Sequence, residues 1–162
     1  MSEPGFVSGV AYPAPFDRYA VELASDAARH LRILSPTLDP RVFDNAELVD
    51  AIAALARSTR QAEIRILVHD LKPLVQRGHR LLSLARRLPS KVRLQALAEH
   101  PEWKGETLVI RDRDGVLYKP GDADKEGFLE PDSRASTQRH LELFEDLWKH
   151  SAPSVELSTA GL

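Results

Sequence analysis

The sequence predicts a single α/β domain with a mostly parallel sheet, and three observations support this fold class. The chain has 162 residues, which suits one hydrophobic core. Apolar runs typical of strands at residues 31–34, 63–69 and 91–97 are separated by two stretches with helical spacing. A later tight-turn pair predicts a hairpin that extends the sheet. Because strands and helices alternate, we expect right-handed βαβ crossovers and parallel pairing.

The first part of the chain predicts an arm followed by two helices. Residues 1–15 contain three prolines and two glycines, so we expect a flexible N-terminal arm. Apolar residues at helical spacing predict a helix over 16–29, and the apolar run after it ends at a Ser-Pro pair. Asp44 is predicted to cap the next helix, with Glu47 as the second half of a capping box.

The middle of the chain predicts the central strand. Residues 63–69 are rich in branched apolar side chains and almost continuously apolar near their end, which is typical of a strand covered on both faces. One helix is predicted from Pro73, a favourable first-turn residue, to the residue before Pro89. Residues 91–97 alternate polar and apolar side chains and predict a third strand.

The last part of the chain predicts a hairpin, a loop and a closing helix. Asp114-Gly115 is the turn pair, so residues 106–119 are expected to form two strands. Residues 120–133 are rich in Gly, Asp and Pro and predict a loop that crosses an edge or covers a site. Asp132-Ser133 can cap the closing helix. The predicted organisation is an arm at 1–15, the α/β domain at 16–150 and a C-terminal tail at 151–162.

Composition narrows the classes of function. The net charge is −2, from 22 basic and 24 acidic residues, so no overall field attracts nucleic acid or an anionic membrane. Cysteine is absent, which excludes disulfides, thiolate metal sites and a cysteine nucleophile, and favours a cytoplasmic protein. No membrane span is expected, because no apolar run approaches ~20 residues. The six histidines are scattered without metal-binding spacing, so we expect no metal and no cofactor.

Polar residues at the carboxyl ends of the predicted strands form the first candidate site. Open α/β sheets bind ligands at this edge, where His69 offers an imidazole that titrates near neutrality and Asp70 a carboxylate. One hypothesis is a hydrolase or transferase that uses His69, Asp70 and Asp112 on a phosphorylated or acyl substrate. The structural alternative is that His69 is a hydrogen-bonded rim residue and Asp70 caps the next helix. The residues expected to bind a ligand are Ser35, Thr37, His69 and Asp112.

The segment from Arg77 to Lys91 is the densest basic stretch. Guanidinium groups fit phosphates, so Arg77, Arg80 and Arg87 are candidate phosphate or nucleic-acid contacts. However, the arginines diverge around the predicted helix, and aromatic residues for base stacking are absent from the segment. A solvated face with ion pairs is the interpretation favoured, and nucleic acid is not the expected partner.

The order of several segments resembles a known family. The segments are LRILSPTLDP, EIRILVHD, RRLPSKVRL, GETLVIRD and FEDLW. Over about residues 17–150 they resemble one half of a phospholipase D-like domain. That superfamily carries a His-x-Lys-x4-Asp motif on the strand corresponding to 105–112, where the His attacks phosphorus and the Lys binds phosphate oxygens. The resemblance implies that two such halves meet face to face, within one chain or across a homodimer, to form one active site.

The motif is degenerate in this chain. Its His would fall at Gly105, its Lys at Thr107 and its Asp at Asp112, so only Asp112 matches. Glycine has no nucleophile and threonine no positive charge, so the two main chemical contributions are missing. The Gly-Ser-x-Asn pattern that often follows the motif is also missing. A shifted motif through His100 and Lys104 has a separation of four residues instead of two, which on a strand places the two groups far apart.

The resemblance therefore implies a pseudoenzyme, similar to an uncharacterised group of bacterial domains. We expect a non-catalytic module for binding, scaffolding or regulation. Its expected partner is a second copy in a homodimer or another bacterial protein to which it is an accessory. The phosphoryl or acyl enzyme and the nucleic-acid binder remain the alternatives.

Overall fold

A seven-stranded mixed sheet lies at the centre of the computed structural model, which describes residues 5–122 and 124–154. The predicted arm and tail include residues 1–4 and 155–162, which lie outside the described residues. The strands are β1 (Val7–Val10), β2 (His30–Ser35), β3 (Glu63–Val68), β4 (Val92–Ala96), β5 (Thr107–Arg111), β6 (Gly115–Lys119) and β7 (Gly127–Glu130). The helices are α1 (Phe16–Asp26), α2 (Pro40–Phe43), α3 (Ala46–Ser58), α4 (Lys72–Arg77), α5 (Arg80–Arg87) and α6 (Arg134–Lys149).

The strand order is β1-β7-β6-β5-β2-β3-β4. The pairs β2–β3 and β3–β4 are parallel, whereas the other four pairs are antiparallel. The prediction of a mostly parallel sheet is therefore wrong. Parallel pairing needs a crossover connection, usually a helix, but residues 97–106 contain none. The chain consequently turns back at the edge where β4 ends, and β5 runs antiparallel beside β2.

Two segments that were expected to lack regular structure contribute strands. β1 lies within the predicted arm, and β7 lies within the predicted loop at 120–133. The two strands pair with each other, and β7 also pairs with β6. Each has only four residues, and Gly9 and Gly127 lower their intrinsic preference for strand. Long-range pairing therefore forms them in the absence of a local sequence signal.

The helix predicted between Pro73 and Pro89 is divided into α4 and α5. Gly78 separates them with φ 79°, a conformation that glycine adopts without steric cost. His79 then caps α5, because its Nδ1 accepts the backbone N–H of Leu81 at 3.1 Å. The apolar spacing continues across the break, which is why the sequence predicts one helix.

The cap of α3 and the turn of the hairpin are each displaced from their predicted positions. Asn45 caps α3 with its side-chain oxygen, and Asp44 instead pairs with Arg80 at 3.2 Å. The hairpin itself is confirmed, since β5 and β6 are antiparallel neighbours. Its turn comprises residues 112–114, because Gly115 already belongs to β6 and pairs with Arg111.

Helices cover the two faces of the sheet unequally. Side chains from α1, α3 and α5 pack on one face, whereas α6 is the one described helix whose side chains join the core on the other. β3 contributes to both, with Ile64 and Ile66 in the first core and Leu67 in the second. This confirms the prediction that the central strand is covered on both faces.

α6 is held on its face of the sheet by half-buried charges. The Glu145 carboxylate accepts hydrogen bonds from Arg32 at 2.8 Å and from Arg65 at 3.2 Å, and Arg65 lies 5.0 Å from the centre of the Trp148 ring. The predicted cap at Ser133 is confirmed, because its Oγ accepts the N–H of Ser136. No helix in the described ranges combines the length and apolar character needed to cross a membrane.

Asp112 joins β5 to the start of β2. Its carboxylate accepts the backbone N–H groups of Ala28, Arg29 and His30, each at 2.9 Å, and its own N–H donates to the His30 carbonyl. Its φ of 50° lies in the left-handed region that non-glycine residues seldom adopt. Burial raises the pKa of Asp112, but the three N–H donors together with the charge of Arg111 outweigh burial and hold the pKa below its usual value.

We expect Asp112→Asn to lower the free energy of unfolding at pH 7 by about 2 kcal/mol, because it replaces an ionised acceptor of three backbone N–H groups. The folded-state pKa is depressed, so this stabilisation is present above the unfolded pKa of about 4 and is lost as the pH falls through the folded pKa. Urea denaturation at pH 7 and pH 3 measures both effects. The control is Asp50→Asn, at an exposed position of α3, and equal effects of the two variants would contradict the prediction.

Candidate functional site

The candidate site lies at the end of the sheet where β2 and β3 finish and β5 begins, which we call the carboxyl edge. Ser35 is the partner of Val68 in the parallel pair, so His69 follows directly beside the end of β2. Leu34 pairs with Leu108 in the antiparallel pair, so Thr107 also lies at this end. The fold therefore assembles the ends of three neighbouring strands where open α/β sheets hold ligands.

A cleft of about 510 Å³ opens at the carboxyl edge. The Nδ1–H of His69 donates to the Leu97 carbonyl at 2.8 Å, and the His69 ring lies 5.2 Å from the ring of Trp103. The indole N–H of Trp103 donates to the Glu106 carbonyl at 3.0 Å. These contacts fix both rings, so the cleft has a preformed wall. Its lining residues are His69, Glu99, His100, Pro101, Trp103 and Gly105.

Three other predicted site residues are engaged locally or lie elsewhere. Ser35 is 1% exposed, and its Oγ accepts the backbone N–H of Leu38 at 2.9 Å. A carboxylate oxygen of Asp70 accepts the N–H of Lys72, the first residue of α4, at 3.1 Å. Thr37 lines a separate, smaller cleft beside His79. The Ser35 and Asp70 contacts hold the backbone where the strands end and α4 begins, and neither side chain lines the cleft.

Asp112 lies at the opposite end of the sheet from His69. It follows β5, whose first residue Thr107 is at the carboxyl edge, and five residues of strand span roughly 17 Å. The carboxylate is also occupied by three backbone N–H groups. The trio of His69, Asp70 and Asp112 that the enzyme hypothesis requires is therefore not brought together.

The two motif positions on the carboxyl edge carry no catalytic group. Thr107 is 5% exposed, and Gly105 has φ 86°, which disfavours any side chain there. The backbone of Gly121 packs against the same place, since a Cβ on Gly121 would lie 2.1 Å from the Lys104 carbonyl oxygen. The segment after β6 therefore approaches the backbone at Gly105, the position at which the sequence resemblance expects the nucleophile.

The basic segment does not form one cationic face. Arg80 pairs with Asp44, and the Lys91 ammonium donates to the carbonyls of Thr59 and Arg60 at 3.0 and 2.6 Å. Arg77 and Arg87 are exposed but lie on different helices, α4 and α5. The candidate phosphate contacts Arg77, Arg80 and Arg87 are therefore divided between two helices, and one of them is ion-paired.

The structure brings together two groups of side chains that the sequence patterns did not predict. The first is an aromatic cluster on the α6 face, composed of Phe6, Tyr118, Phe128 and His140. The second joins His100 and His150, whose rings lie 5.0 Å apart, with Asp146. The spacing of Asp146 and His150 by four residues at a helix end was an available signal, but His100 is distant in the sequence and its proximity depends on the docking of α6.

Comparison with protein families and solved structures gives three findings. A family model described as a domain of unknown function (DUF7931) matches residues 13–159. None of the curated proteins matches the sequence. Among solved structures, Nuc from Salmonella typhimurium, a phospholipase D family member, is similar with a TM-score of 0.64 at 12% identity, over 94% of this chain and 99% of Nuc.

Two larger proteins contain a similar unit. TrmBL2, an archaeal chromatin protein with a novel mode of DNA binding, gives a TM-score of 0.64 at 17% identity over 92% of this chain and 53% of its own. Phosphatidylserine synthase from Haemophilus influenzae Rd KW20 gives 0.63 at 12% identity over 98% of this chain and 40% of its own. This chain thus spans about half or less of each of these proteins. The comparisons confirm the phospholipase D-like fold, and at these identities they show the fold alone.

The buried His79 predicts a loss of stability on acidification. Its Nε2–H donates to the Leu38 carbonyl at 3.0 Å while its Nδ1 accepts an N–H, so the neutral ring is fully bonded. Burial lowers the pKa of His79 and, with Arg80, outweighs the raising effects of Asp44 and the Leu38 carbonyl. The folded pKa lies below the unfolded value of about 6.5, so the unfolded state binds the proton first and stability decreases as the pH falls below that value.

We expect His79→Asn, which keeps a helix-capping acceptor, to reduce the dependence of unfolding free energy on pH between 7.5 and 5. Urea denaturation at several pH values measures this slope. Arg77→Ala, an exposed residue that does not titrate in this range, is the control and should keep the wild-type slope. An unchanged slope in His79→Asn would show that His79 does not cause the loss.

Proposed function

We propose, from the premise that the chain belongs to the DUF7931 family, that it is a non-catalytic binding module that acts through contacts with a second copy of itself. The observation that carries the proposal is the carboxyl edge itself. Gly105 and buried Thr107 stand where a phospholipase D-like enzyme needs a nucleophile and a cation, and Gly121 packs against that backbone.

Transfer of a phosphoryl group requires an activated nucleophile and positive charge at the developing oxyanion. The cleft contains two imidazoles, His69 and His100. The Nδ1–H of His69 is directed to the Leu97 carbonyl, and Nδ1 of His100 accepts the N–H of Glu102. Among the described residues that line the cleft, the charged side chain is the acidic Glu99, and none is Lys or Arg. An anionic phosphodiester would therefore meet repulsion in place of stabilisation, which supports a role without hydrolysis.

A cluster that we call the aromatic patch, composed of Phe6, Tyr118, Phe128 and His140, supports a role in association. Phe6 is 58% exposed and lies 5.3 Å from the Phe128 ring. Phe128 stacks on Tyr118 at 5.0 Å, and both lie within 6 Å of His140 on α6. Contiguous aromatic surface of this kind is typical of protein interfaces.

Charge around the aromatic patch favours a second copy as its partner. Burial and then Glu106 raise the pKa of Tyr118, whereas Arg139 lowers it, so an acid and a base both act at the patch. In a two-fold interface the same patch of both copies meets, so that residue i of one copy contacts residue j of the other and the reverse. A patch that carries both an acid and a base can therefore place opposite charges together. Homodimer formation also agrees with the face-to-face use of two halves that the sequence resemblance implies.

Nucleic-acid binding is the second candidate. It is favoured by the fold similarity to TrmBL2, an archaeal chromatin protein. Three observations make nucleic-acid binding a weaker candidate than self-association. Arg77 and Arg87 lie on different helices, Arg80 is paired with Asp44, and the net charge is −2.

The first test of the proposal is hydrolysis of a phosphodiester. We expect the purified protein to hydrolyse bis(p-nitrophenyl) phosphate no faster than the His69→Ala variant does. The reason is that the described residues lining the cleft at the carboxyl edge do not combine an activated nucleophile with a Lys or Arg cation. Colorimetric release of nitrophenol measures the rate. Turnover that disappears in His69→Ala, with the fold retained by circular dichroism, would overturn the non-catalytic assignment.

The second test is self-association. We expect Phe6→Asp to weaken the homodimer at least tenfold, about 1.4 kcal/mol, because it places a charge in the aromatic patch. Analytical ultracentrifugation over a concentration series measures the dissociation constant. Ala54→Asp adds the same charge at an exposed position on α3 and should leave the constant unchanged. If the wild-type protein is monomeric at high concentration, a second copy of the chain is ruled out as the partner.

A further inference from the structure

We propose that the protein binds a divalent metal ion of the zinc class through His100, Asp146 and His150. His100 lies in the segment between β4 and β5, and the other two residues lie at the C-terminal end of α6. One ring nitrogen from each histidine and one oxygen from the carboxylate all lie within 4.8 Å of one another. The site is separate from the aromatic patch and does not depend on the proposed association.

The backbone around the three residues is anchored. Asp146 and His150 are four positions apart, so helical geometry directs them to one face of the last turn. The chain just after them is joined to β4, since Ala96 and Ala152 exchange two backbone hydrogen bonds of 2.9 and 3.2 Å. This bridge holds the end of α6 beside the segment that carries His100. A metal ion would therefore not need to assemble its ligands from separate mobile parts.

The distances between the ligand atoms fit a small ion. Nε2 of His100 lies 3.4 Å from Oδ2 of Asp146. Nδ1 of His150 lies 3.8 Å from Oδ1 of the same carboxylate, so the His150 ring is close to the site although Nδ1 itself is hydrogen-bonded to the Asp146 carbonyl. A tetrahedral zinc ion with bonds of about 2.0–2.1 Å separates its donor atoms by about 3.3 Å. The His100–Asp146 pair already has this spacing. Because the His150 side chain is 60% exposed, its ring can rotate to bring Nε2 to the ion and complete the set.

Hydrogen bonds define which nitrogen each histidine offers. The Nδ1–H of His150 donates to the Asp146 carbonyl at 2.9 Å, an arrangement that leaves Nε2 unprotonated for a metal. His100 differs, because its Nδ1 accepts the N–H of Glu102 at 3.1 Å and its Nε2 carries the proton. Metal binding at Nε2 moves this proton to Nδ1 and breaks the Glu102 hydrogen bond. The affinity should accordingly be lower than that of a fully prearranged site.

The donor set indicates the class of ion. Two imidazoles and one carboxylate without a thiolate suit Zn²⁺ and related late divalent ions such as Co²⁺. Three protein ligands leave a fourth position for water or an anion, as in open zinc sites. His100 also lines the cleft at the carboxyl edge, where Glu99 is the charged side chain of the described lining. A bound ion would supply positive charge beside that cleft.

Titration calorimetry with Zn²⁺, on the untagged 162-residue chain freed of metal by a chelator, tests the proposal. We expect one ion per chain. Titration with Co²⁺ should produce the visible absorption of a four- or five-coordinate ion. His150→Gln and Asp146→Asn should each lower the affinity for Zn²⁺ at least tenfold, and circular dichroism should show that both variants remain folded.

His30→Gln is the matched control, because it changes a histidine at the opposite end of the sheet that belongs neither to the cluster nor to the cleft. It should bind Zn²⁺ with the affinity of the wild type. The proposal is overturned if the wild type takes up no Zn²⁺, if neither cluster variant loses affinity, or if His30→Gln loses as much as His150→Gln.

Discussion

The bonds between the Asp112 carboxylate and three backbone N–H groups are the constraint on which the rest of the sheet depends. They hold the turn after β5 against the start of β2, and the pairing of Leu31 with Arg111 follows from this contact. No helix in residues 97–106 guides β5 to its place, so this end contact fixes its register. The β2–β5 pair joins the parallel half of the sheet to the antiparallel half, and the left-handed backbone at Asp112 is compensated by these bonds.

Register at one end determines chemistry at the other. With Asp112 fixed, Thr107 falls beside the end of β2, and Gly105 meets the backbone of Gly121. Asp112, the residue that matches the motif in the sequence resemblance, therefore has a structural role in this chain, because it binds three backbone N–H groups. A strand can keep its position in a fold while the residues at its start change, and this separation of fold from chemistry underlies the proposed binding role.

α6 has the corresponding influence on the second face. Glu145 fixes it through Arg32 and Arg65, and its other contacts follow from that placement. A single described helix covers only part of a seven-stranded sheet, so the aromatic patch remains partly exposed beside it. The end of the same helix brings His150 within 5.0 Å of the His100 ring. Both proposed interaction sites thus result from how one helix docks.

The sequence by itself determined the features that have local physical causes. Neighbouring residues alone predicted the β3 segment, the Ser133 cap and the β5–β6 hairpin. The sequence also shows directly that positions 105 and 107 hold neither His nor Lys. Tertiary structure decided the direction of β5, the existence of β1 and β7, the distance of Asp112 from His69, and the meeting of His100 with His150. These features depend on pairing between residues far apart in the chain, whose free energy appears only when the whole sheet and α6 are assembled, so short-range patterns carry no signal for them.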